Sequence, residues 1–366
     1  MKITTIIGAR PQFIKAAAVS TALEGAGIRE TLIHTGQHYD AEMSQVFFDE
    51  LGIREPEFNL GIGSGPHGEQ TGRMLTAIER VLMGSRPDCV LVYGDTNSTL
   101  AGGLAAAKLQ IPLAHVEAGL RSFNRIMPEE TNRVLVDHIS EFLFAPTKVS
   151  VENLRHEGCS ESHIHHVGDV MYDATLHFMK FAEELDHSST AIELKNKDYV
   201  LATIHRAENT DDPGRLDVIL NGLQIAAANQ PVVFPMHPRT GTAIERYGLA
   251  NRLEGIMTIS PVGYLDMLML ERDANLIVTD SGGVQKEAYF VGSPCLTIRT
   301  ETEWLETLEG GWNRLHTPDT AHGIAHAIED AQARAPALQV TRGDIHPFGN
   351  GTAGLTIAET LKESLS

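Results

Sequence analysis

Short apolar runs rich in Ile, Val, Leu and Thr alternate with stretches of helical spacing along the first half of the chain. Each run ends in a turn, and a stretch with apolar residues about three or four positions apart follows it. Strands and helices that alternate in this way predict a parallel sheet with helices on both faces. An amphipathic helix is expected over residues 41–53. The strands of this half are predicted within residues 2–7, 31–38, 87–95, 111–119 and 141–147.

The pattern changes around residues 166–174, and residues 180–198 are charged and irregular, so a domain hinge is predicted there. The alternation then restarts, which predicts two successive parallel α/β domains. The first covers residues 1–168 and the second residues 169–351, and a last helix over residues 352–366 crosses back to the first domain. The strands of the second half are predicted within residues 198–206, 231–240, 255–263, 275–283 and 293–299.

The amino-acid composition limits the classes of molecule that the protein is expected to bind. The chain has 366 residues, with 48 Asp and Glu against 29 Lys and Arg and a net charge of −19. Such an excess of acid argues against nucleic acid and anionic membranes, although a local cluster of cations can still bind an anionic small ligand. Three cysteines without metal-ligand spacing indicate reduced thiols in a cytoplasm, and no apolar run is long enough to predict a membrane span.

Carboxylates follow two predicted strands and stand at the start of a predicted helix, at the edge where open α/β sheets bind ligands. Asp95 and Glu117 end successive strands, and Glu129 and Glu130 begin a helix whose first turns also carry Arg133 toward the site. Carboxylates grouped in a partly closed crevice suit acid–base chemistry near neutral pH. The structural alternative is that Asp95 caps the next helix and that one of Glu129 and Glu130 serves only the helix dipole.

Two strand-to-turn segments have the form of anion sites. Residues 8–11, Gly-Ala-Arg-Pro, stand between a strand and a helix, so free backbone N–H groups are expected beside Arg10 and Lys15. In residues 279–283, Thr-Asp-Ser-Gly-Gly, the glycines admit a phosphate close to a helix N-terminus, and Ser281 can donate to it or cap the helix. An ordinary tight turn and a plain N-cap are the structural alternatives, and the paired glycines favour a ligand.

His205-Arg206 and His237-Pro238-Arg239 each end an apolar run of the second half. Two His-Arg pairs at equivalent strand ends, in a chain short of positive charge, predict recognition of a pyrophosphate. The histidines and carboxylates lack local metal-ligand spacing, so no metal site is expected. No GxGxxG fingerprint follows a predicted strand, and a GxxxxGK-S/T loop and a GxSxG elbow are absent from the sequence. These features argue against NAD-linked oxidation, P-loop phosphoryl transfer and serine hydrolase chemistry.

Eight motifs run in order through nearly the whole chain. They are GARPQFIK (8–15), TGQHYD (35–40), YGDTNSTLAG (93–102), HVEAGLRS (115–122), PEETNR (128–133), HRAEN (205–209), MHPR (236–239) and DSGGVQKEA (280–288). Together they resemble the motifs of the non-hydrolysing UDP-N-acetylglucosamine 2-epimerases. The resemblance implies an α/β fold of two Rossmann-like, doubly wound parallel-sheet domains facing a cleft, the GT-B arrangement, with UDP held mostly by the second domain.

Carried over position by position, the resemblance implies catalytic roles for Asp95, Glu117, Glu129 and His205. It implies nucleotide-sugar binding by Arg10, Lys15, His237, Ser281, Gly282, Gly283, Glu287 and Arg299, to which the patterns above add Arg133 and Arg206. The implied reaction interconverts UDP-N-acetylglucosamine and UDP-N-acetylmannosamine by anti elimination of UDP to 2-acetamidoglucal and syn re-addition. It requires no cofactor and supplies precursors of surface polysaccharides. The resemblance further implies a homodimer.

Some positions depart from the commonest family pattern. Ala9, Gln12 and Phe13 replace Thr, Glu and Ala, and Trp304 follows Glu303 where Arg-Pro is usual. Because these positions are expected near the sugar or the phosphates, 2-epimerisation of UDP-2,3-diacetamido-2,3-dideoxyglucuronate is an alternative. Further alternatives are a GT-B glycosyltransferase using the same donor, a hydrolysing 2-epimerase and a non-catalytic nucleotide-sugar sensor.

Overall fold

The structure, a computed structural model, describes residues 1–37, 54–184, 194, 198–341 and 346–365, except for the side chains of residue 10 and residues 335–341. The helix predicted over residues 41–53 lies outside these ranges. The chain divides into two compact units, the first Met1–His177 with His346–Ser366 and the second Phe178–Ile345. The domain boundaries predicted after residue 168 and before residue 352 stay a prediction.

The first unit is built on a sheet of seven parallel strands. They are β1 (Lys2–Ile7), β2 (Arg29–His34), β3 (Phe58–Asn59), β4 (Cys89–Tyr93), β5 (Leu113–Val116), β6 (Phe142–Ala145) and β7 (Ile164–His166). Their order in the sheet is β3-β2-β1-β4-β5-β6-β7. The edge strands β3 and β7 have two and three residues, which is too short for a periodic pattern to predict them.

Helices connect these strands. They are α1 (Arg10–Gly25), α2 (His67–Ser85), α3 (Asn97–Lys108), α4 (Pro128–Ile139), α5 (Lys148–His156) and α6 (Val170–Glu184). Small residues let α3 lie close to the sheet, since a Cβ added at Gly102 would be 2.9 Å from Ile6 Cδ1 and 3.1 Å from Val92 Cγ1. α6 is a continuous helix through residues 170–184, so the irregular stretch predicted from residue 180 starts too early.

The second unit has a sheet of six parallel strands. They are β8 (Val200–Thr203), β9 (Val232–Pro235), β10 (Met257–Ile259), β11 (Leu276–Thr279), β12 (Cys295–Thr297) and β13 (Asn313–Leu315), in the order β10-β9-β8-β11-β12-β13. The connecting helices are α7 (Ala207–Thr210), α8 (Pro213–Ala227), α9 (Pro238–Tyr247), α10 (Tyr264–Asp273), α11 (Gly282–Val291) and α12 (Ala321–Thr341). Fully buried apolar residues of β8 and β11, among them Val200 and Val278, pack with Leu216, Leu220 and Leu223 of α8.

The C-terminal helix α13 (Ala353–Ser364) returns to the first unit, as predicted. Gly354 allows this packing, because a Cβ there would lie 3.1 Å from the Ala18 carbonyl oxygen in α1. Lys362 Nζ also donates to the Ala26 carbonyl at 2.8 Å. Two parallel-sheet α/β units confirm the predicted fold class. None of the described helices is both long and apolar enough to cross a membrane.

Candidate active site

Both sheets reverse their strand order at one point, between β1 and β4 in the first unit and between β8 and β11 in the second. Open α/β sheets bind ligands beyond the carboxyl ends of the strands at such a switch point. Each unit therefore has one candidate edge. The carboxylate edge of the first unit comprises Asp95, Glu117, Glu129 and Glu130 with Lys15 and Arg133. The anion edge of the second unit comprises His205, Arg206, His237, Ser281, Gly282, Gly283, Glu287 and Arg299.

Asp95 follows β4 after Gly94, and its side chain is 31% exposed. Its carboxylate pairs with the Arg133 guanidinium, and Asn132 Nδ2 donates to the Asp95 carbonyl at 2.9 Å. The N-cap of α3 is Thr96, whose hydroxyl accepts from the Thr99 N–H. The structural alternative for Asp95 is therefore wrong, and its carboxylate faces a cation instead of a helix end.

Glu117 follows β5 with a positive φ of 74°. A non-glycine residue in this region carries strain of about 1–3 kcal/mol, and such strain concentrates at functional sites. The backbone is held there because the Glu117 N–H donates to the Phe144 carbonyl at 3.1 Å. The carboxylate pairs with Lys15, and both side chains are largely buried. Lys15, expected at the nucleotide sugar, thus contacts a carboxylate in this structure.

Glu130 and Glu129 differ in their surroundings. Glu130 is buried and accepts hydrogen bonds from the N–H groups of Ser122 (2.9 Å) and Phe123 (3.0 Å) and from Arg133 Nη1 (2.7 Å). Burial alone would raise the pKa of Glu130, but these hydrogen bonds and the Arg133 charge hold it below its ordinary value. Partly buried Glu129 makes no side-chain hydrogen bond or ion pair within the described chain. Glu130 is the structural member of the pair.

The turn after β1 is closed by Gln12. Its Oε1 accepts from the N–H groups of Gly8 (2.8 Å) and Ala9 (3.0 Å), and its Nε2 donates to the Tyr93 carbonyl (2.7 Å). The expectation of free N–H groups at this turn is therefore wrong, because the amide of a buried side chain occupies them. The Arg10 side chain lies outside the description. From the sequence Gln12 was identified as a departure from the family pattern, but its role in closing this turn was missed. An amide side chain can fill that role because it both accepts and donates hydrogen bonds.

Asp280 organises the anion edge. Its buried carboxylate accepts hydrogen bonds from the N–H groups of His205 (3.0 Å) and Arg206 (2.9 Å) and from Asn209 Nδ2 (2.9 Å). These bonds join the end of β11 to the turn after β8. Asp280 thus fixes the backbone that presents the side chains of His205 and Arg206.

The imidazole rings of His205 and His237 stack, with 5.0 Å between their centroids. Burial lowers the pKa of both rings; nearby guanidinium groups lower it further, while Asp280 opposes the shift. His237 Nδ1 accepts from the Arg239 N–H at 3.2 Å, which places the proton of the neutral ring on Nε2. Both rings are therefore neutral at neutral pH, able to donate an N–H to a phosphate oxygen and to gain charge in acid.

Helix α11 begins at Gly282, directly after its N-cap Ser281. A Cβ added at Gly282 would lie 3.4 Å from Arg206 Nη2 and 3.6 Å from Trp304 Nε1, whereas at Gly283 its nearest neighbour would be Ser281 Oγ at 3.8 Å. A guanidinium and an indole N–H therefore border the start of this helix. A helix N-terminus already favours negative charge, so this arrangement suits a phosphate.

Arg299 is buried at the same edge and pairs with Glu303, with 3.1 Å between Nη1 and Oε2. Lys286 Nζ lies 3.8 Å above the Trp304 ring. The segment that departs from the family pattern thus places a carboxylate beside Arg299 and an indole beside Gly282. Neither side chain was assigned a role from the sequence, and the departure from the family pattern was an available signal for Trp304 only.

Glu287 on α11 is buried and interacts with Glu271 of α10. The Glu271 carboxylate is fully buried and has no hydrogen-bond partner among the described residues. Burial, and after it the charge of Glu287, raises the pKa of Glu271 well above its ordinary value. Burial of Glu271 therefore favours its protonated form beside Glu287, a residue expected to bind the nucleotide.

The two edges have complementary chemistry. The first offers carboxylates for proton transfer, and the second offers a helix N-terminus, imidazoles and a guanidinium for a diphosphate. A chain with two Rossmann-like units and these groups falls in the GT-B-like class of nucleotide-sugar proteins.

Comparison with known proteins specifies the family. The sequence profile described as UDP-N-acetylglucosamine 2-epimerase matches residues 21–362, so the chain belongs to the UDP-N-acetylglucosamine 2-epimerase family. It is 51% identical over 368 residues to the UDP-2,3-diacetamido-2,3-dideoxy-D-glucuronate 2-epimerase of Pseudomonas aeruginosa. It is 47% identical over 371 residues to the UDP-N-acetylglucosamine 2-epimerase of Methanocaldococcus jannaschii. Both alignments cover 99% of this chain and 99% of the relative. The crystal structure of the M. jannaschii UDP-GlcNAc 2-epimerase in complex with UDP-GlcNAc and UDP matches 99% of this chain and 100% of that chain, with a TM-score of 0.87 and 46% identity.

Proposed function

We propose that this chain is a non-hydrolysing UDP-N-acetylglucosamine 2-epimerase that interconverts UDP-N-acetylglucosamine and UDP-N-acetylmannosamine. The observation that carries the proposal is the pairing of Asp95 with Arg133 and of Glu117 with Lys15 at the switch point of one sheet. These pairs hold two carboxylates in fixed positions suited to proton transfer. Membership of the family, and the relative crystallised with UDP-GlcNAc and UDP, support the choice of substrate.

The proposed reaction begins with the loss of UDP. Carbon 2 of the sugar is not next to a carbonyl, so its proton becomes acidic only as the C1–O bond weakens. That bond breaks with its electron pair passing to the β-phosphate oxygen of UDP, a carboxylate takes the C2 proton, and a C1–C2 double bond forms. In the return step the β-phosphate oxygen attacks C1 and a carboxylic acid delivers a proton to the opposite face of C2. Asp95, Glu117 and Glu129 are the candidates for these transfers.

We assign stabilisation of the departing UDP to the anion edge. The N-terminus of α11 at Gly282, the Arg206 guanidinium and the imidazole N–H groups of His205 and His237 are donors suited to a diphosphate. Fixed donors of this kind stabilise charge as it develops and need little reorganisation during the reaction. Arg10, Arg299 and Glu287 are further proposed contacts of the nucleotide sugar.

Incubation with UDP-N-acetylglucosamine in D₂O tests the proposal. We expect deuterium at C2 of both epimers, with UDP and 2-acetamidoglucal released slowly. No exchange at C2 would overturn the proposal for this substrate. Transfer that needs an acceptor would indicate a glycosyltransferase, and free N-acetylmannosamine would indicate a hydrolysing epimerase. Binding without turnover that survives replacement of the carboxylates would indicate a sensor.

A second candidate substrate is UDP-2,3-diacetamido-2,3-dideoxyglucuronate. The 51% identity to the P. aeruginosa enzyme favours it, as does Trp304, which follows Glu303 where Arg-Pro is usual. Measuring kcat/KM for both nucleotide sugars on the same preparation distinguishes the two. The nucleotide sugar with the higher kcat/KM is the one that the site prefers.

We further propose a cytoplasmic homodimer that supplies precursors of surface polysaccharides. The family resemblance supports the dimer and the pathway, and the three cysteines without pairing pattern support the compartment. Light scattering coupled to size exclusion tests the dimer, because a mass equal to one chain would contradict it.

A further inference from the structure

His115 lies in β5 beside the carboxylate edge and is completely buried. Its Nδ1 is 2.7 Å from Asp137 Oδ1, and its Nε2 is 2.7 Å from the Gly94 carbonyl oxygen. Each ring nitrogen therefore faces an oxygen at hydrogen-bond distance. No role has been assigned to this side chain so far.

The hydrogen bonds fix the orientation of the His115 ring. A carbonyl oxygen such as that of Gly94 can only accept. Asp137 also accepts from Arg121 Nη1 at 2.7 Å and from the Gly119 N–H at 3.1 Å. Burial alone would raise the pKa of Asp137, but His115 and Arg121 hold it below its ordinary value, so the carboxylate is ionised and cannot donate. The Nε2–H of His115 therefore donates to the Gly94 carbonyl, while Nδ1 lies against the Asp137 carboxylate.

The buried His115–Asp137 pair holds the backbone just before Asp95 and just after Glu117, two of the proposed catalytic carboxylates. The carbonyl that receives the His115 N–H belongs to the peptide bond between Gly94 and Asp95. Gly94 has a φ of 61°, and a Cβ placed on it would lie 3.1 Å from Glu117 Oε2. Asp137 Oδ2 in turn accepts from the Gly119 N–H, in the turn that follows Glu117. One chain of hydrogen bonds thus joins the two turns.

We propose that His115, held by Asp137, is a positioning residue for the epimerisation, because it fixes the peptide bond that orients Asp95 and links it to the turn that carries Glu117. The inference rests on the proposed function. His115 itself is buried behind this edge and acts through the backbone. A displacement of about 1 Å in a reacting group can cost about 100-fold in rate, so loss of this restraint has a measurable effect on turnover.

The variant H115Q tests the inference, with E157Q as its control. Glutamine has one amide nitrogen and cannot donate to both oxygens on opposite sides of the ring. Glu157 belongs to the same ionic network, since its carboxylate accepts from Arg121 Nε at 2.7 Å, but it has no hydrogen bond to His115. We expect kcat of H115Q to fall about 100-fold while KM and the Kd of UDP stay within about threefold, and E157Q to behave like the parent.

The outcomes separate this inference from the proposed function. A parent protein without C2 exchange overturns the proposed function and, with it, the positioning role of His115. An active parent with an equally active H115Q, even a less stable one, overturns the inference alone. If H115Q fails to fold, ¹⁵N NMR of the parent decides: the inference requires a hydrogen on Nε2 of His115, which donates to the Gly94 carbonyl, and an unprotonated Nε2 contradicts it.

Discussion

In the first unit the strands at the switch point lead into carboxylates that are paired with cations, whereas in the second unit the equivalent strands lead into imidazoles, a guanidinium and a helix N-terminus. Asp95 and Glu117 keep a cation each, Arg133 and Lys15. Asp280, the carboxylate at the equivalent place in the second sheet, is used entirely for hydrogen bonds to the neighbouring turn. The same topology therefore supports opposite chemistry at its two edges.

The difference comes from the loops and not from the sheets. Both sheets are parallel and reverse their order once, so both present strand ends and helix N-termini at the corresponding place. A helix N-terminus favours an anion, and in the second unit helix α11 begins at Gly282 beside Arg206 and Trp304. In the first unit Gln12 occupies the N–H groups of the turn after β1, Thr96 caps the helix after β4, and carboxylates lie at the edge. Fold alone thus does not predict which edge binds an anion.

The largest effect is expected from removing a carboxylate of the first edge. D95N and E117Q each lower kcat by about 10²- to 10⁴-fold, because general acid–base catalysis contributes that much. The Kd of UDP changes little, because we assign the diphosphate to the second unit. C2 deuteration and calorimetry measure the two quantities. E141Q, an exposed acid of the same unit, is the control, and parent-like exchange in D95N and E117Q would contradict the assignment.

Much of this comparison could be predicted from the sequence. Apolar runs ending in polar residues placed Asp95, Glu117, His205 and Ser281 at strand ends, because the period of a buried strand and its terminal turn are local properties. The longer helices and strands were also predicted.

Partners distant in sequence could not be predicted. Arg133 is 38 positions from Asp95, and Lys15 is 102 positions from Glu117. No local pattern connects such residues, because the sheet order brings them together. Gln12 shows the same limit: it appears as a helix residue in the sequence, and only the fold brings its amide to the Tyr93 carbonyl.

A buried histidine of the first unit, His34, is expected to make the stability of that unit depend on pH. His34 ends β2 in the first unit, is 1% exposed, and its Nε2 has no hydrogen-bond partner among the described residues. Burial lowers its pKa from 6.5 to about 4. The folded state therefore disfavours the proton that the unfolded chain accepts below pH 6.5, and stability present above that pH is lost as the pH falls toward 4. The loss reaches about 3 kcal/mol.

Native-state hydrogen exchange of the β1 and β2 amides measures this loss of stability in the first unit. H34Q should flatten the pH dependence, whereas H138Q, which alters an exposed histidine of the same unit, should leave it unchanged. Equal pH dependence in the parent and H34Q would show that His34 does not titrate in this way.

A matched pair of glycines tests the anion edge. G282A places a methyl group between Arg206 Nη2 and Trp304 Nε1, at 3.4 and 3.6 Å, whereas G283A meets Ser281 Oγ at 3.8 Å. We expect G282A to weaken UDP binding about tenfold, equivalent to about 1.4 kcal/mol, and G283A to leave it nearly unchanged. Calorimetry with UDP measures both. Equal affinities for the two variants would place the diphosphate away from the start of α11.

The smallest expected effect is the pH dependence of binding. The pKa of His237 lies below its ordinary value, chiefly through burial, so acid adds a positive charge to the anion edge and binding of UDP-N-acetylglucosamine strengthens by about two- to fivefold as the pH falls through that pKa. The sugar nucleotide lacks the terminal phosphate ionisation near pH 6 that complicates UDP. H237N keeps an oxygen to cap α9 but removes one of the two titrating rings, and should reduce this dependence. An unchanged pH profile in H237N would assign the effect elsewhere.

The central claim is that carboxylates of the first edge remove the C2 proton while UDP leaves. UDP-N-acetylglucosamine carrying ¹⁸O in the bridge between C1 and the β-phosphate, incubated in D₂O, tests both bonds in one sample. The account predicts deuterium at C2 together with movement of ¹⁸O to the non-bridging β-phosphate positions, because free UDP can rotate before it adds back. Deuterium at C2 with all ¹⁸O still in the bridge would contradict elimination, and an absence of both would contradict the epimerase.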